Sequence, residues 1–325
     1  MKVCIESKAD CKTGKGFFIN RLITALEKQG AEIVDRHTPA DIDLQVGRHH
    51  YPVNARKSVI RLGPAHVNKK QDYKALNKVK WKSVNHADGV VYQSQFSKKV
   101  CRKFIGKPVG IEEVIFNGAD PEFYGNIEPI KSDYKHNFLA STREWIPQKR
   151  LSGIIKSFIR AEIPDSCLRI AGTILKNENK DKRFVRDNIF YLGNQTEEQL
   201  GALYKGSSAM IHCVHVDACP NSVVEAMVAG LNVIRTNQGA LPEFGDYNLV
   251  DDAKFIFKPI NLETPPRLRK ESLIKMMKLF VSIKRDPPDA EWLHIDKTAK
   301  QYIKFFEKVL CSKISKLHKK YQKPR

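Results

Sequence analysis

Two carboxylates eight positions apart, Asp217 and Glu225, bracket a short polar turn in the segment Asp217-Ala218-Cys219-Pro220-Asn221-Ser222-Val223-Val224-Glu225-Ala226-Met227-Val228-Ala229-Gly230. The segment reads as a loop entering a helix, with Pro220 suited to the first turn and Gly230 to the C-terminal cap. N–H groups at a helix start lack intrahelical acceptors, so those around Asn221 and Ser222 would form an anion site reinforced by the helix dipole. Asp217 ahead of that site and Glu225 on the second turn suit a pyrophosphate flanked by two hydroxyl-bearing rings. An ordinary βα loop with solvated carboxylates uses the same residue types, and the segment alone leaves both readings open. No metal constellation competes, since there is no Asp-x-Asp flanked by apolar strand residues and the histidines lack ligand spacing. Nor is there a carboxylate pair suited to glycoside hydrolysis.

The elements that would position these groups follow from the hydrophobic pattern. Lys2 to Glu6 predicts a strand, Gly14-Lys15-Gly16 a tight turn, and Phe17 through Lys28 a helix with Phe18, Leu22 and Leu26 on one face, ended by Gly30. Ala31–Val34, Asp43–Val46, Ser58–Leu62 and Gly89–Tyr92 predict further strands, the last entering a helix capped by Ser94 or Ser97. Asn126 to His136 is polar, contains Pro129 and lacks periodicity, which places an interdomain linker there, at 131–136. A second alternation follows, with strands at Asn137–Ala140, Leu168–Ala171, Ile189–Leu192, Ala209–Val214 and Leu231–Thr236. Strand–helix alternation with short turns predicts α/β domains with parallel, doubly wound sheets. Ile303, Phe306, Leu310, Ile314, Leu317 and Tyr321 predict an amphipathic helix over Tyr302–Tyr321 with a lysine-rich opposite face.

Composition sets the outer limits. A chain of 325 residues with 42% hydrophobic content fits two α/β domains and excludes wholesale disorder. No apolar run is long enough to cross a bilayer. The seven cysteines are scattered and unpaired in spacing, which fits reduced thiols in a cytoplasm. A net charge of +20 creates a field that attracts polyanions, although solubility alone also accounts for a basic composition.

The segment from Asp217 to Glu225 resembles the EX7E motif of retaining GT-B glycosyltransferases, especially family 4 (glycosyl transferases group 1), with aspartate in the first position. Its flanks are similar too: Pro220-Asn221-Ser222, Glu225-Ala226-Met227, Gly230, and then Gly239-Ala240-Leu241-Pro242-Glu243. Further matches run in the family's order: Gly14-Lys15-Gly16 as the glycine-rich first loop, Arg61-Leu62-Gly63-Pro64-Ala65-His66, Ala87-Asp88-Gly89 with Gln93-Ser94-Gln95-Phe96-Ser97, and Ile115-Phe116-Asn117-Gly118-Ala119-Asp120 with Phe123. The resemblance implies two Rossmann-like domains facing a central cleft: residues 1–130 on the acceptor side, the linker 131–136, a nucleotide-sugar domain over 137–290, and a basic helix over 291–325. It implies that Glu225 bonds the donor ribose, that Asp217 reaches the transferred sugar across a reach one methylene short, and that Arg143 and Lys149, six apart, face the donor diphosphate. Fixed cations there would stabilise the charge a departing diphosphate gains. Gly14, Gly16, Pro220, Asn221, Ser222 and Gly193 complete the implied donor site, and His66 becomes a sugar or acceptor contact. The co-substrate is a nucleotide-diphosphate sugar such as UDP- or GDP-hexose, with no cofactor or metal, and the implied chemistry is front-face transfer with retention.

The acceptor side is a charge argument. From Gly47 to Lys82 ten basic residues stand against Asp72 alone, a net +9 over 36 residues interleaved with His49, His50, Tyr51, His66, Tyr73 and Trp81. Basic residues mixed with aromatics suit phosphate neutralisation and base stacking, with Arg48, His49, Arg61, Lys69, Lys70 and Trp81 as candidate contacts. The last thirty residues add a net +8. One reading is DNA carrying hydroxymethylated pyrimidines, as bacteriophages make, its base extruded for transfer in the host cytoplasm. A second is an anionic glycolipid or lipopolysaccharide core at the inner membrane face, met by the terminal amphipathic helix. A third is a solvated basic face with a small-molecule acceptor. A catalytically inactive GT-B protein that binds nucleic acid is the alternative of another class.

Overall fold

The structure is a computed structural model that describes residues 1–5, 14–47, 54–174 and 184–313. The expectations at Arg48, His49, His50 and Tyr51, and those for the terminal helix beyond residue 313, lie outside the described residues. The chain divides into two compact units, Met1–Ala119 with Trp292–Arg325, and Asp120–Glu291.

The first unit opens with β1 (Lys2–Ile5), α1 (Gly14–Lys28), β2 (Glu32–Val34), β3 (Ala40–Val46) and β4 (Ala55–Arg61). It continues with α2 (Tyr73–His86), β5 (Gly89–Tyr92), α3 (Gln95–Phe104) and β6 (Ile111–Val114). Its strands form a parallel sheet in the order β2-β1-β3-β4-β5-β6, so the strand order reverses between β1 and β3. Phe18, Ile19, Leu22, Ala25 and Leu26 recur on one face of α1 and are buried against Val3, Ile42, Leu44, Val59 and Val91 of the sheet. Gly30 takes φ +82° beyond the end of α1, the left-handed conformation that lets Ala31 N–H donate back to Leu26 O at 3.0 Å. Ser94 is the cap of α3, its Oγ accepting from Ser97 N–H at 3.0 Å. Gly14-Lys15-Gly16 forms the first turn of α1 instead of a separate turn before it.

The second unit contains α4 (Pro121–Gly125), β7 (His136–Trp145), α5 (Leu151–Ala161), β8 (Ser166–Ile174), β9 (Ile189–Gly193) and α6 (Glu197–Lys205). After these come β10 (Ala209–His212), α7 (Asn221–Val228), β11 (Val233–Thr236), β12 (Leu249–Val250) and α8 (Lys270–Ser282). The parallel order β12-β11-β10-β7-β8-β9 reverses between β7 and β10. The boundary differs from the expected linker at 131–136: residues 120–130 belong to the second unit. Ile130 N–H donates to Ala202 O at 3.0 Å, and Lys205 Nζ donates to Gly125 O at 3.2 Å. Gly201 and Gly206 leave room for Ile127 and Ile130, which would lie within 2.4 and 2.6 Å of an added Cβ. Two isolated isoleucines in a polar stretch give no periodic signal, yet they are what hold it to α6.

The chain returns to the first unit through α9 (Ile295–Cys311), where Ala119 and His294 make a parallel bridge. The helix runs to Cys311 with Ser312 as its C-cap, and the expected stretch from 314 to Tyr321 lies outside the described residues. Tyr302, Phe305, Phe306 and Val309 are buried in the first unit's core, while Ile303 and Leu310 flank it. The apolar face read as available to a membrane is therefore core as far as it is described, and Gly89 makes space for it, since a Cβ there would meet Val309 at 2.7 Å. Among the described residues no helix is long and apolar enough to cross a membrane. Phe306→Ala is expected to destabilise the protein by about 3–5 kcal/mol and Lys304→Ala by about 0.5 kcal/mol or less. Equal urea midpoints for the two variants would contradict this placement of α9.

Candidate donor site at the carboxyl edge of the second sheet

Open parallel sheets bind ligands outside the carboxyl ends of their strands, where the order reverses and adjacent loops diverge. In the second unit that point lies between β7 and β10; Arg143 stands near the end of β7, and the loops leaving the two strands carry Lys149 and Asp217.

The β7 loop is shaped by non-local packing. β7 and β8 shift register between Ser141 and Glu144, and Gly172 (φ +114°) faces the shift. A Cβ at Gly172 would lie 1.8 Å from Thr142 O, so only glycine admits this course. Arg143 is exposed, and Lys149 closes a short 3₁₀ turn from Pro147 with its Nζ donating to Thr142 Oγ1. The next residue, Arg150, takes φ +56° and turns its guanidinium inward. Its Nη1 and Nη2 donate to Asp252 Oδ1 and Oδ2 at 3.0 and 2.7 Å, and its Nε donates to Cys213 O at 2.8 Å.

The β10 loop is tied to that turn and to the loop after β11. His215 N–H donates to Gln148 O at 3.1 Å, and Thr236 Oγ1 donates to Val214 O at 3.0 Å. Ala240 N–H donates to Asp217 O at 3.0 Å, and Gly239 (φ +65°) lets this approach occur, because a Cβ there would fall 2.7 Å from Asp217 O. Cys219 N–H donates to Asp217 Oδ1 at 3.2 Å. Pro220 is the N-cap of α7, one position earlier than its expected place in the first turn, and makes no side-chain cap bond. Val223 and Val224 N–H donate to Pro220 O, so Asn221 and Ser222 head the helix ahead of the first intrahelical bonds. Gly230 (φ +85°) ends it, with Leu231 N–H donating to Ala226 O at 2.8 Å. On the second turn Glu225 Oε2 accepts from Tyr204 Oη of α6 at 3.4 Å. Gly193 (φ +67°) ends β9, with open space where a side chain would stand.

Burial dominates the electrostatics. It pushes the Asp217 carboxyl above the usual aspartate range, against hydrogen bonds from Cys219 and Ala218 and attraction to Lys149. It also pushes Lys149 below the usual lysine range, against attraction to Asp217 and Glu144. His212 behind them is pushed down to about 3, first by burial and then by Lys149, Arg150 and Arg235, so it is neutral. Lys149 and Asp217 thus attract one another in a place that disfavours either charge, which an added anion beside Lys149 and hydroxyl donors beside Asp217 would relieve.

The first unit's expected residues divide into exposed and buried sets. Lys69 and Lys70 are exposed, and Trp81 is 47% exposed. Lys74, Lys78 and Lys82 of α2 are exposed as well, beside Leu76 and Val79. Arg61, expected on the acceptor surface, is buried, with its guanidinium 4.3 Å from the Phe18 ring and donating to Asn117 Oδ1. Lys57 also leaves the strip, pairing with Asp88 at 3.0 Å. Strand alternation and helix packing turn these two cations inward, which a count of charges does not register. The His66 loop is pinned by Asn77, whose amide accepts from His66 N–H and donates to His66 O, both at 2.8 Å. Gly14 and Gly16 start α1 just beyond β1. Nothing in the sequence singles out Asp252, Gly172 or His215, and Gly239 enters only through the resemblance. Among the described residues no three His, Cys, Asp or Glu side chains form a metal-binding group.

Residues 126–262 match the family described as "Glycosyl transferases group 1", within the second unit. The chain is similar to sucrose-phosphate synthase from Thermosynechococcus elongatus (TM-score 0.64, 13% identity, covering 95% of this chain and 96% of that one). It is similar to Anabaena Alr3699/HepE in complex with UDP and glucose (TM-score 0.65, 14% identity, 95% and 100%) and to a glycosyltransferase from Rickettsia africae ESF-5 (0.64, 14%, 96% and 98%). No curated protein matches the chain by sequence. The fold is that of the GT-B glycosyltransferases, and residues 126–262 match the group 1 family, in line with the resemblance around Asp217 and Glu225.

Asp252→Ala leaves Arg150 buried and unpaired, so a loss of about 3–5 kcal/mol in unfolding free energy is expected from denaturant titration. A variant as stable as the parent would contradict the role given to the pair. For Asp217 the folded pKa lies above the unfolded one, so the folded state binds the extra proton and ionisation costs stability. The stability of the parent relative to Asp217→Asn should therefore rise as pH falls from neutral toward the ordinary carboxylate range. A pH-independent difference would show that burial does not act on Asp217.

Proposed function

We propose that the protein is a nucleotide-sugar-dependent, retaining glycosyltransferase that moves a hexosyl group to the hydroxyl of a hydroxymethylpyrimidine base in DNA. The donor half rests on one observation: Lys149, Asp217, the start of α7 and Glu225 gather on adjoining loops and α7 at the carboxyl edge of β7 and β10. In this reading Glu225, steadied by Tyr204, bonds the donor ribose, and Asp217 accepts from hydroxyls of the sugar. Gly193 leaves backbone open to the nucleotide base. As the sugar C1–oxygen bond to the diphosphate breaks, Arg143, Lys149 and the N-terminus of α7 meet the charge that builds on the departing oxygen. The acceptor oxygen bonds C1 on the face the diphosphate leaves, and its proton passes to a phosphate oxygen of that leaving group. The similar Anabaena structure holds UDP and glucose, which supports a nucleotide sugar as co-substrate.

The acceptor half rests on the exposed run Lys69, Lys70, Lys74, Lys78 and Lys82 with Trp81 beside it. Lysines of this kind neutralise phosphates, and an exposed indole stacks on an unpaired base. The anionic-glycolipid reading loses the buried face of α9, which leaves DNA as the better supported polyanion. His66, in the loop ahead of α2, then lies on the acceptor side. The protein, labelled nucleotide sugars, and hydroxymethylcytosine, hydroxymethyluracil and unmodified DNA test this directly. Label is expected in hydroxymethylated DNA and absent after Glu225→Ala. Label confined to lipid extracts would replace the acceptor, and no nucleoside diphosphate released from any donor would leave a nucleic-acid binder.

A further inference from the structure

Two buried arginines of the second unit are fully compensated, whereas a third, Arg169, donates only to Lys131 O at 3.3 Å and leaves Nη1 without a hydrogen-bond partner. Arg150 is paired with Asp252, and Arg235 donates to the carbonyls of Leu241, Val233 and Gly245 at 2.9, 3.1 and 2.6 Å. Arg61, at the end of β4 in the first unit, is 5% exposed and has neither arrangement. Its Nη2 donates to the neutral side-chain oxygen of Asn117, its Cζ lies 4.3 Å from the Phe18 ring, and its Nε has no hydrogen-bond partner. No acidic side chain among the described residues forms an ion pair with it.

A buried guanidinium without an anion is costly, because burial removes hydration that nothing replaces. Phe18, whose ring lies against the guanidinium, stands one turn inside the start of α1. Arg61 arrives on β4, with Gly47 N–H donating to Arg61 O at 3.0 Å to hold the end of β3 beside it. Asn117 orients the guanidinium and is not itself a counter-charge.

We propose that Arg61, oriented by Asn117 beside the first turns of α1, is an oxyanion seat that takes a phosphoryl group of the acceptor. This rests on the reading that the first unit receives an anionic acceptor, and it makes that recognition specific: one phosphate in a recess, distinct from the exposed lysines of α2. The planar fork of arginine suits two phosphate oxygens, and a lone ammonium does not reproduce it. For DNA, the group would be the backbone phosphate of the extruded nucleotide.

The seat is tested without any transfer reaction, so its failure is separate from failure of the glycosyltransferase reading. Thermal unfolding is followed with inorganic phosphate in excess, against chloride at matched ionic strength, in an Arg143→Ala/Lys149→Ala background that weakens phosphate binding in the second unit. Phosphate is expected to raise the midpoint there, as a ligand bound only by the folded state must, and to lose that effect when Arg61→Met is added. Arg61→Met should unfold no earlier than its parent in chloride, since it removes an uncompensated charge. Arg61→Lys keeps the charge and should retain only part of the phosphate shift. In the unsubstituted protein the Arg61 Nε–Hε resonance should move on phosphate titration and remain near its starting position with acetate. An unchanged phosphate shift in Arg61→Met, or a stationary Nε–Hε resonance, would overturn the seat. A larger response to acetate would overturn the phosphoryl assignment.

Discussion

Arg150 and Asp252 meet in the interior of the second unit, 102 residues apart in sequence, with two parallel hydrogen bonds between guanidinium and carboxylate. The donor site depends on this pair because Arg150 directly follows Lys149 and also binds Cys213 O, at the start of the loop that carries Asp217. One side chain thus fixes the departure of the chain from β7 and from β10. A buried pair of this kind adds little net stability over a hydrophobic replacement, but its geometry is strict, since either partner alone would be an uncompensated buried charge. Its value lies in position.

That rigidity allows Lys149 and Asp217 to remain where burial disfavours their charged forms. Gly172 and Gly239 contribute by omission, each letting backbone come so close to Thr142 or Asp217 that a Cβ would collide. Cations and dipoles held in place before a ligand arrives need no reorganisation when charge develops on a leaving group. The catalytic reading of the site and the strain in its electrostatics are two descriptions of one arrangement.

The positive charge of the chain is not one surface property. Lys57 is half of a buried ion pair, Arg61 lies under Phe18 and Asn117, and the lysines of α2 face solvent. These are three different environments: an ion pair at a strand, a guanidinium against a ring and an amide, and solvent. The same division applies to α9, whose apolar face closes the first unit's core. Similar GT-B structures at 13–14% identity retain the fold because it rests on pattern and on a few close backbone approaches that many sequences satisfy.

Local chemistry made much of the architecture legible from the sequence alone. Alternation of apolar runs with helical stripes located most strands, α1 and α3, Gly30 and Gly230 marked helix ends, and Ser94 marked a start, because each signal acts within a turn or a strand. The candidates Asp217 and Glu225 come from a different signal, their spacing along one loop and one helix, and Arg143 and Lys149 come from the resemblance alone. The tertiary structure alone decided the rest. The partner of Arg150, the burial of Arg61, the attachment of residues 120–130 to α6 and the return of α9 to the first unit each join distant segments. Charge and hydropathy record what a residue is. Whether it faces solvent, a carboxylate or the core depends on segments far away in sequence, and only the folded chain brings those together.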